Sequence, residues 1–432
     1  DARTIVDYKS LPDNQIKTVA SAPFAAQPLL HNPLPSTREQ DESIAYGGTY
    51  YGDKYATRKQ GLDFLFYESA PFGLAIYERV HNDPNSPYRL PDRFRRYARP
   101  SLSYPDMCQA YKAHPIHLNG NSVVDSPSMF SRRVVEITAS GSTVLSSAGR
   151  GVDETLAGTV PTVTTPDQAN GHLEAWKGSE ALRHEGLWKA FRHVYEAHTC
   201  AHRLVYMMRV AGFRVQSPST APVAVECSRE DVPLFEAQTV RPALYLLTDS
   251  TDGVQASCPV VHAEGEARVA ALREAGIGHV VVHRAGAPVP EAHLLEDMSL
   301  ALRFGDWKAV GTRTVAWGQG EPHVRIAALT SDIEPGTVLL AEDVYEAWLQ
   351  GSPPALDDDQ VFAWQRVVDR AGSDRASGGT AAEVVSGTAS SRVGAGAAAA
   401  GASGVPASAG LPDGSQDVAG GVMVGEETTQ PL

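Results

Sequence analysis

The run Asn121-Ser-Val-Val-Asp-Ser-Pro-Ser-Met-Phe-Ser-Arg-Arg-Val-Val-Glu136, continued by Ile137-Thr-Ala-Ser-Gly141, holds the clearest signals of fold in this chain. Ser126 is a favourable N-cap and Pro127 a favourable first helical residue, so the run predicts a helix over 126–136. Gly141 ends it and turns the chain into a strand over 142–146. The first N–H groups of such a helix are unpaired, and with the helix dipole they favour an anion such as a diphosphate. Arg132 and Arg133 add fixed charge, and a guanidinium fork matches phosphate oxygens. Of two adjacent helical residues only one faces the site. Glu136 supplies an acceptor for ribose hydroxyls.

Working towards the N-terminus, strand and helix alternate. Short strands are predicted over 43–46, 74–77 and 116–119, with helices over 58–68 and 104–112. Short loops between them are the mark of a parallel α/β sheet of Rossmann-like type. Ligands of such sheets bind outside the carboxyl ends of the strands. Gly47-Gly48-Thr49 and the loop 119–128 both lie at such ends.

Towards the C-terminus, Leu182, Leu187, Phe191, Val194, Leu204 and Met208 recur near helical spacing, predicting helix over 180–209. A second α/β region follows, with strands near 243–247 and 279–283 and helices near 264–275 and 293–302. This reading divides the chain into 1–40, a proline-rich linker or domain remnant; 41–175, the first α/β domain; 176–215, a helical extension; 216–372, a smaller α/β domain; and 373–432. The last segment is Gly, Ala, Ser and Val with almost no aromatics, and reads as a disordered tail.

Composition excludes some functions. Lys plus Arg number 37 against 51 Asp plus Glu, a formal charge of -14, so nucleic acid is not an expected partner. No apolar run is long enough to span a membrane. Cys108, Cys200, Cys227 and Cys258 are widely spread and form no C-x-x-C pair, which reads as free thiols in a cytoplasmic protein. Asp1 is not a methionine, and the first residues read as mid-protein, so the N-terminus is expected to lie upstream.

The stretch from Asp125 to Glu136 resembles the donor-binding motif of GT-B glycosyltransferases, specifically the spore-maturation CgeB-like group. Gly48-Thr-Tyr-Tyr-Gly-Asp-Lys-Tyr55 resembles that group's first glycine-turn loop, and Phe24-Ala-Ala-Gln-Pro28 its interdomain linker. The similarity covers about residues 20–210 and implies the GT-B C-terminal half. It implies Glu136 on the donor ribose, Arg132 near the diphosphate, and Gly48 and Thr49 closing over the phosphates. Asp125, Ser126, Phe130 and Ser131 complete the candidate donor site, with no metal and no cofactor beyond the nucleotide-sugar donor. Two departures stand out: Ser128 occupies the place of a glutamate common in the wider superfamily, and Ser131 replaces a glycine. The region 216–372 resembles, more weakly, a GT-A-like domain. No Asp-x-Asp triplet follows its strand at 279–283, so it reads as degenerate and non-catalytic.

Other clusters have plainer readings. His198 and His202 are spaced i, i+4 but lack a third ligand, so they read as a satisfied helix pair. Arg93, Arg95, Arg96 and Arg99 read as a solvated face, and Asp357–Asp359 as a charged loop before a helix. The expected function is transfer of a sugar from a nucleoside-diphosphate donor to an unidentified acceptor. The alternative is a non-catalytic nucleotide- or carbohydrate-binding module on an eroded fold.

Overall fold

The structure, a computed structural model, describes residues 2–12, 16, 18–330, 334, 336–352 and 354–370. The tail expected over 373–432 lies outside the described residues. A short helix α1 (Ala2–Lys9) opens the chain, where only linker was expected.

The elements of the first half run β1 (Ile44–Gly48), α2 (Ala56–Ser69), β2 (Leu74–Glu78), α3 (Asp92–Arg95), β3 (Ala98–Arg99), α4 (Tyr104–Ala113), β4 (Ile116–Asn119), α5 (Arg133–Ala139), β5 (Thr143–Ser147), α6 (Arg150–Thr155), β6 (Thr162–Val163), α7 (Pro166–Gly178), α8 (Glu180–Ala197) and α9 (Cys200–Val210). The six strands are all parallel, in the order β3-β2-β1-β4-β5-β6. This is the doubly wound order of a Rossmann-like sheet, and it reverses between β1 and β4. Every residue of β2, β4 and β5 is buried, as a sheet covered on both faces demands. On one face α2 and α7 pack Leu62, Leu65, Phe66, Leu173 and Trp176 against the strands. On the other, α5 and α8 contribute Val134, Val135, Ile137, Leu187 and Phe191.

One expected helix is displaced. Residues 121–132 form a loop, and α5 begins only at Arg133. Ser126 does cap, but a single turn: its Oγ accepts from Met129 N at 3.3 Å. The loop is held elsewhere. Asn121 Nδ2 donates to the carbonyls of Ser147 and Ala148, and Arg150 N to the carbonyl of Val124. Tertiary hydrogen bonds here outweigh a local preference of about 1 kcal/mol for a cap.

The helix expected over 180–209 is two helices. Thr199 interrupts it, capping α9 with His202 and forming a β-bridge to Ala26. His202 Nδ1 meets Thr199 Oγ1 at 2.7 Å and His198 Nδ1 meets Arg203, so the two histidines are engaged separately.

The second half runs β7 (Ala224–Cys227), α10 (Val232–Glu236), β8 (Leu244–Leu247), β9 (Val260–His262), α11 (Glu266–Ala275), β10 (His279–His283), α12 (Leu294–Ala301), β11 (Ala309–Trp317), β12 (Ala327–Leu329), β13 (Thr337–Ala341), α13 (Glu342–Leu349) and β14 (Val361–Asp369). Its eight strands form one mixed sheet, β12-β14-β11-β13-β10-β7-β8-β9. β13 runs antiparallel to both neighbours and β12 antiparallel to β14, while the other pairs are parallel.

α8 lies between the halves and is not an appendage. Trp188 and Phe191 meet Trp364 of β14 at ring-centroid distances of 4.9 and 5.7 Å. Arg192 of α8 and Arg366 of β14 both pair with the fully buried Asp297 of α12. One buried cluster therefore runs from Val134 through Phe191 to Trp364, and the described residues of both sheets belong to one compact unit. The seam near residue 216 separates two sheets that share a core.

Candidate nucleotide-diphosphate site

At the carboxyl ends of β4 and β5, α2 and the sheet approach closely. A Cβ on Gly120 would stand 2.7 Å from the Leu62 side chain, and one on Gly61 would stand 2.8 Å from Ser147 Cβ. The buried positions of α2 are Arg58, Gly61, Leu62, Leu65, Phe66 and Ser69, a single helical stripe. Arg58 heads that stripe and so enters the crevice at the strand ends. Its guanidinium donates to the carbonyl of Gly120, to Tyr46 Oη at 2.7 Å, and more distantly to the Thr49 carbonyl and Ser122 Oγ at 3.4 Å.

Arg133, the first residue of α5, arrives from the opposite side. Its guanidinium carbon lies 5.3 Å from the Tyr46 ring centroid, and its Nη2 lies over Gly48. Tyr46 is wholly buried between the two cations and donates its own proton to the Thr49 carbonyl at 3.1 Å. Burial alone would push the Tyr46 phenol up, but Arg58 and Arg133 more than reverse this and hold it below its ordinary value.

Arg58 Nε and Arg133 Nη1 are buried and make no hydrogen bond, and the same holds for Asn119 Oδ1 at the end of β4. Neither guanidinium forms an ion pair with a carboxylate among the described residues. Two cations sharing one neutral phenol leave an uncompensated positive field, and unpaired buried charge is costly. The crevice at Gly48 is where an open α/β sheet places its ligands, and its two guanidinium groups suit an anion.

The residues expected at the site fall into two groups. Gly48 and Thr49 are at the crevice, Gly48 partly exposed and the Thr49 carbonyl bonded by Tyr46 and Arg58. The rest lie along the loop and the outer face of α5. Asp125 is exposed, and Ser126 and Ser131 serve backbone turns at Met129 and Val134. Phe130 is buried edge-to-face against Phe24 at 5.8 Å.

Arg132 faces away from the crevice. Its side chain is 57% exposed, 4.7 Å from the Tyr104 ring centroid and 3.3 Å from Glu136. Of the two adjacent arginines it is therefore Arg133, the first residue of α5, that faces the crevice, and Arg132, expected there, that does not. Glu136 is buried and engaged by the chain itself. Its Oε1 accepts from Tyr104 Oη at 2.7 Å, Tyr111 Oη approaches Oε2 at 3.5 Å, and His31 Nε2 lies at 3.8 Å. A ribose reaches this carboxylate only by replacing Tyr104 or Arg132. The helix amides expected at Pro127 play no part, since no helix starts there.

Sequence reasoning missed Arg58 and Tyr46. The signal was present: Arg58 stands four residues before Leu62 on an otherwise apolar stripe, directly after a strand ending in Gly47-Gly48. The Arg93 cluster is ion-paired at the surface, Arg93 to Asp63 and Arg95 to Asp92. Asp357–Asp359 are exposed and form a capped turn.

With this geometry in hand, comparison with known proteins is informative about one stretch. Residues 65–209 match the family model described as glycosyl transferase-like, spanning α2 to α9. Curated proteins give no significant match. Among solved structures, the chain is similar to a sucrose-phosphate synthase from Thermosynechococcus elongatus, at 13% identity and a TM-score of 0.35 over 48% of this chain and 55% of that one. It is also similar to the C-terminal domain of a glycosyl transferase group 1 family protein from Francisella tularensis, at 11% identity and a TM-score of 0.31, over 41% of this chain and all of that one. A GtfA/B complex gives 11% identity and a TM-score of 0.30, over 49% of this chain and 43% of that one. No helix among the described residues is long and apolar enough to cross a membrane.

Proposed function

We propose that the first sheet binds a nucleoside-diphosphate sugar and that the protein is a glycosyltransferase of GT-B type, in the CgeB-like group. The observation that carries this is the pair of buried, unpartnered guanidinium nitrogens where the strand order reverses: Arg133 Nη1 beside Gly48, and Arg58 Nε on the guanidinium that shares Tyr46 with it. The glycosyl transferase-like match over 65–209 supports it.

In this reading the diphosphate lies across Gly48, held by Arg58 from α2 and Arg133 from α5. As the anomeric C–O bond breaks, its electron pair stays on the diphosphate, where the two arginines stabilise the growing charge. An acceptor hydroxyl oxygen forms the new bond to the anomeric carbon, and its proton passes to the departing diphosphate or to water. Glu136 orients Tyr104 and Arg132 at the rim, on the side where the ribose extends. The second sheet is a degenerate GT-A-like domain. β10 runs into Arg284-Ala-Gly-Ala-Pro288, with no carboxylate pair at the strand end.

One observation favours the alternative of a non-catalytic binding module: the carboxylates near the crevice are already committed. Glu136 is held as described, and Asp63 is taken by Tyr50 and Arg93. Calorimetric titration of the full chain with UDP, GDP and ADP tests the shared premise. At least one binds, and Arg58→Ala and Arg133→Ala each weaken it at least tenfold. Binding indifferent to both substitutions sinks the assignment. Turnover of a bound donor to free sugar or glycoside separates enzyme from module.

A further inference from the structure

His31 and Glu136 are both almost wholly buried, and the side chain that joins them is not. Tyr104, the first residue of α4, is 39% exposed, yet its hydroxyl is engaged on two sides. It donates to Glu136 Oε1 at 2.7 Å and lies 2.9 Å from His31 Nε2. Gln27 N donates to His31 Nδ1 at 3.0 Å, so that nitrogen carries no proton and Nε2 does. The bonds therefore run one way, from the His31 Nε2–H group to the phenol and from the phenol to the carboxylate.

The two ends of this relay are fixed and its middle is not. Tyr195 of α8 donates to the His31 carbonyl at 2.7 Å, Lys112 of α4 to Asn32 Oδ1, and Ala26 bridges to Thr199, so the segment carrying His31 is pinned to three helices or their ends. Glu136 lies within α5, where every residue from Val134 to Ala139 is buried. The Tyr104 ring, by contrast, carries the Arg132 guanidinium at 4.7 Å, a group itself 57% exposed. A half-open side chain at the start of a helix leaves by a rotamer change that the backbone need not follow.

The place the phenol holds suits one kind of group. His31 Nε2 and Glu136 Oε1 are 3.8 Å apart, one a donor and the other an acceptor, so whatever bridges them must both accept and donate, as a hydroxyl does. The second oxygen of Glu136 is met only by Tyr111 Oη, at 3.5 Å, which leaves it open to a second hydroxyl. A ribose diol supplies both. Glu136 stands one helical turn after Arg133, and the two charges are near enough to act on each other. In a nucleoside diphosphate the ribose is joined directly to the first phosphate, which matches that spacing.

We propose that Tyr104 is a displaceable plug in the ribose seat, its hydroxyl keeping the place of a ribose hydroxyl between His31 and Glu136 until the donor swings it out. This rests on the donor reading above. A site open in only a fraction of molecules binds more weakly by that fraction, so removing the plug tightens binding. The test is calorimetric titration of the full chain with UDP, GDP and ADP and with their 2′,3′-dideoxy counterparts. Tyr104→Phe keeps the ring and removes the competing hydroxyl. It binds the preferred ribonucleotide at least fivefold more tightly than the parent, and Tyr104→Ala shifts affinity in the same direction. The dideoxy counterpart, which has no hydroxyl for Glu136, binds parent and Tyr104→Phe within twofold of each other. A parent that binds a nucleotide and a Tyr104→Phe chain that gains nothing overturn the plug and keep the donor reading. An equal gain for the dideoxy nucleotide overturns the ribose seat as what the phenol guards. Silence of parent and both variants towards all three nucleotides removes the donor reading and the plug with it.

Discussion

A Cβ built on Gly48 would stand 2.8 Å from Nη2 of Arg133, so the guanidinium lies directly on the glycine that ends β1. The close approach is to the tip of a flexible side chain, which can swing aside. Gly48 also holds φ at 157°, a conformation that L side chains rarely adopt, so Gly48→Ala strains the end of β1 as well as moving the guanidinium out of the crevice. The expected result is at least a tenfold loss of UDP affinity by calorimetry in a chain that still melts cooperatively, at a temperature lowered by backbone strain of about 1–3 kcal/mol. Unchanged affinity would place the diphosphate elsewhere.

The two arginines also report on each other through Tyr46. Removing Arg133 as Met takes away one of the cations that hold the phenol down, leaving burial to act against Arg58 alone. Ultraviolet titration at the tyrosinate band, read as the difference between parent and Arg133→Met, moves one tyrosine to higher pH. Loss of a charge-assisted phosphate contact of about 1.5–3 kcal/mol makes the same variant bind UDP tenfold to a hundredfold more weakly. A variant that shifts neither the titration nor the affinity would falsify the cage.

Glu180 ties the two sheets together and sets an acid limit on stability. It is fully buried, accepts from Arg183, from His323 Nδ1 at 2.6 Å and from Val324 N at 2.7 Å. Burial would raise its pKa, but Arg183 and the hydrogen bonds hold it far below the usual carboxylate range. A depressed carboxylate contributes stability that is present above the unfolded pKa and is lost as pH falls through the folded one. Urea unfolding from pH 6 to pH 3 should show this loss in the parent and much less of it in Glu180→Gln. That variant should be about 3–5 kcal/mol weaker at pH 7.

Lys112 acts with the same sign at alkaline pH, where relief of a burial penalty raises stability as the pH rises. It is buried, donates to Asn32 Oδ1 at 2.7 Å, and is pushed down to about 8 by burial and then by Arg325. Between that value and the unfolded lysine pKa the unfolded chain binds the extra proton, so stability rises with pH there. Measured against Lys112→Met, which has nothing to titrate, the parent gains about 1–3 kcal/mol between pH 7.5 and pH 10. A flat difference counts against the burial of the ammonium group.

The shared core predicts a single unfolding event. Trp364→Ala removes a ring that touches Trp188, Phe191, Phe304 and Phe362, at a cost of about 3–5 kcal/mol. Calorimetry should show one transition in the parent and one, at lower temperature, in the variant. Two resolved transitions in the parent would mean that the halves fold separately.

Much of the first sheet was legible because its signals are local. Short apolar runs at 44–46 and 74–77 and the alternating Ile116-His-Leu-Asn119, ended by Gly47, His81 and Gly120, encode strand after strand whatever surrounds them. Glycine at 48 likewise marks a close approach. Ser126-Pro127 misled for the same reason: it is a good helix start in isolation, and bonds from Asn121 and Val124 to Ser147, Ala148 and Arg150, distant in sequence, hold that segment as a loop. Arg132 and Arg133 look alike in the sequence. Which one meets the crevice depends on where α5 begins, and a one-residue shift turns a side chain by about 100°. The sequence by itself determined a parallel α/β sheet with a crevice at its strand ends. Tertiary structure alone decided that Arg58 and Arg133 enter it, that Glu136 is occupied by Tyr104, and that α8 fuses two sheets into one core, because each of these depends on contacts between residues far apart in the chain.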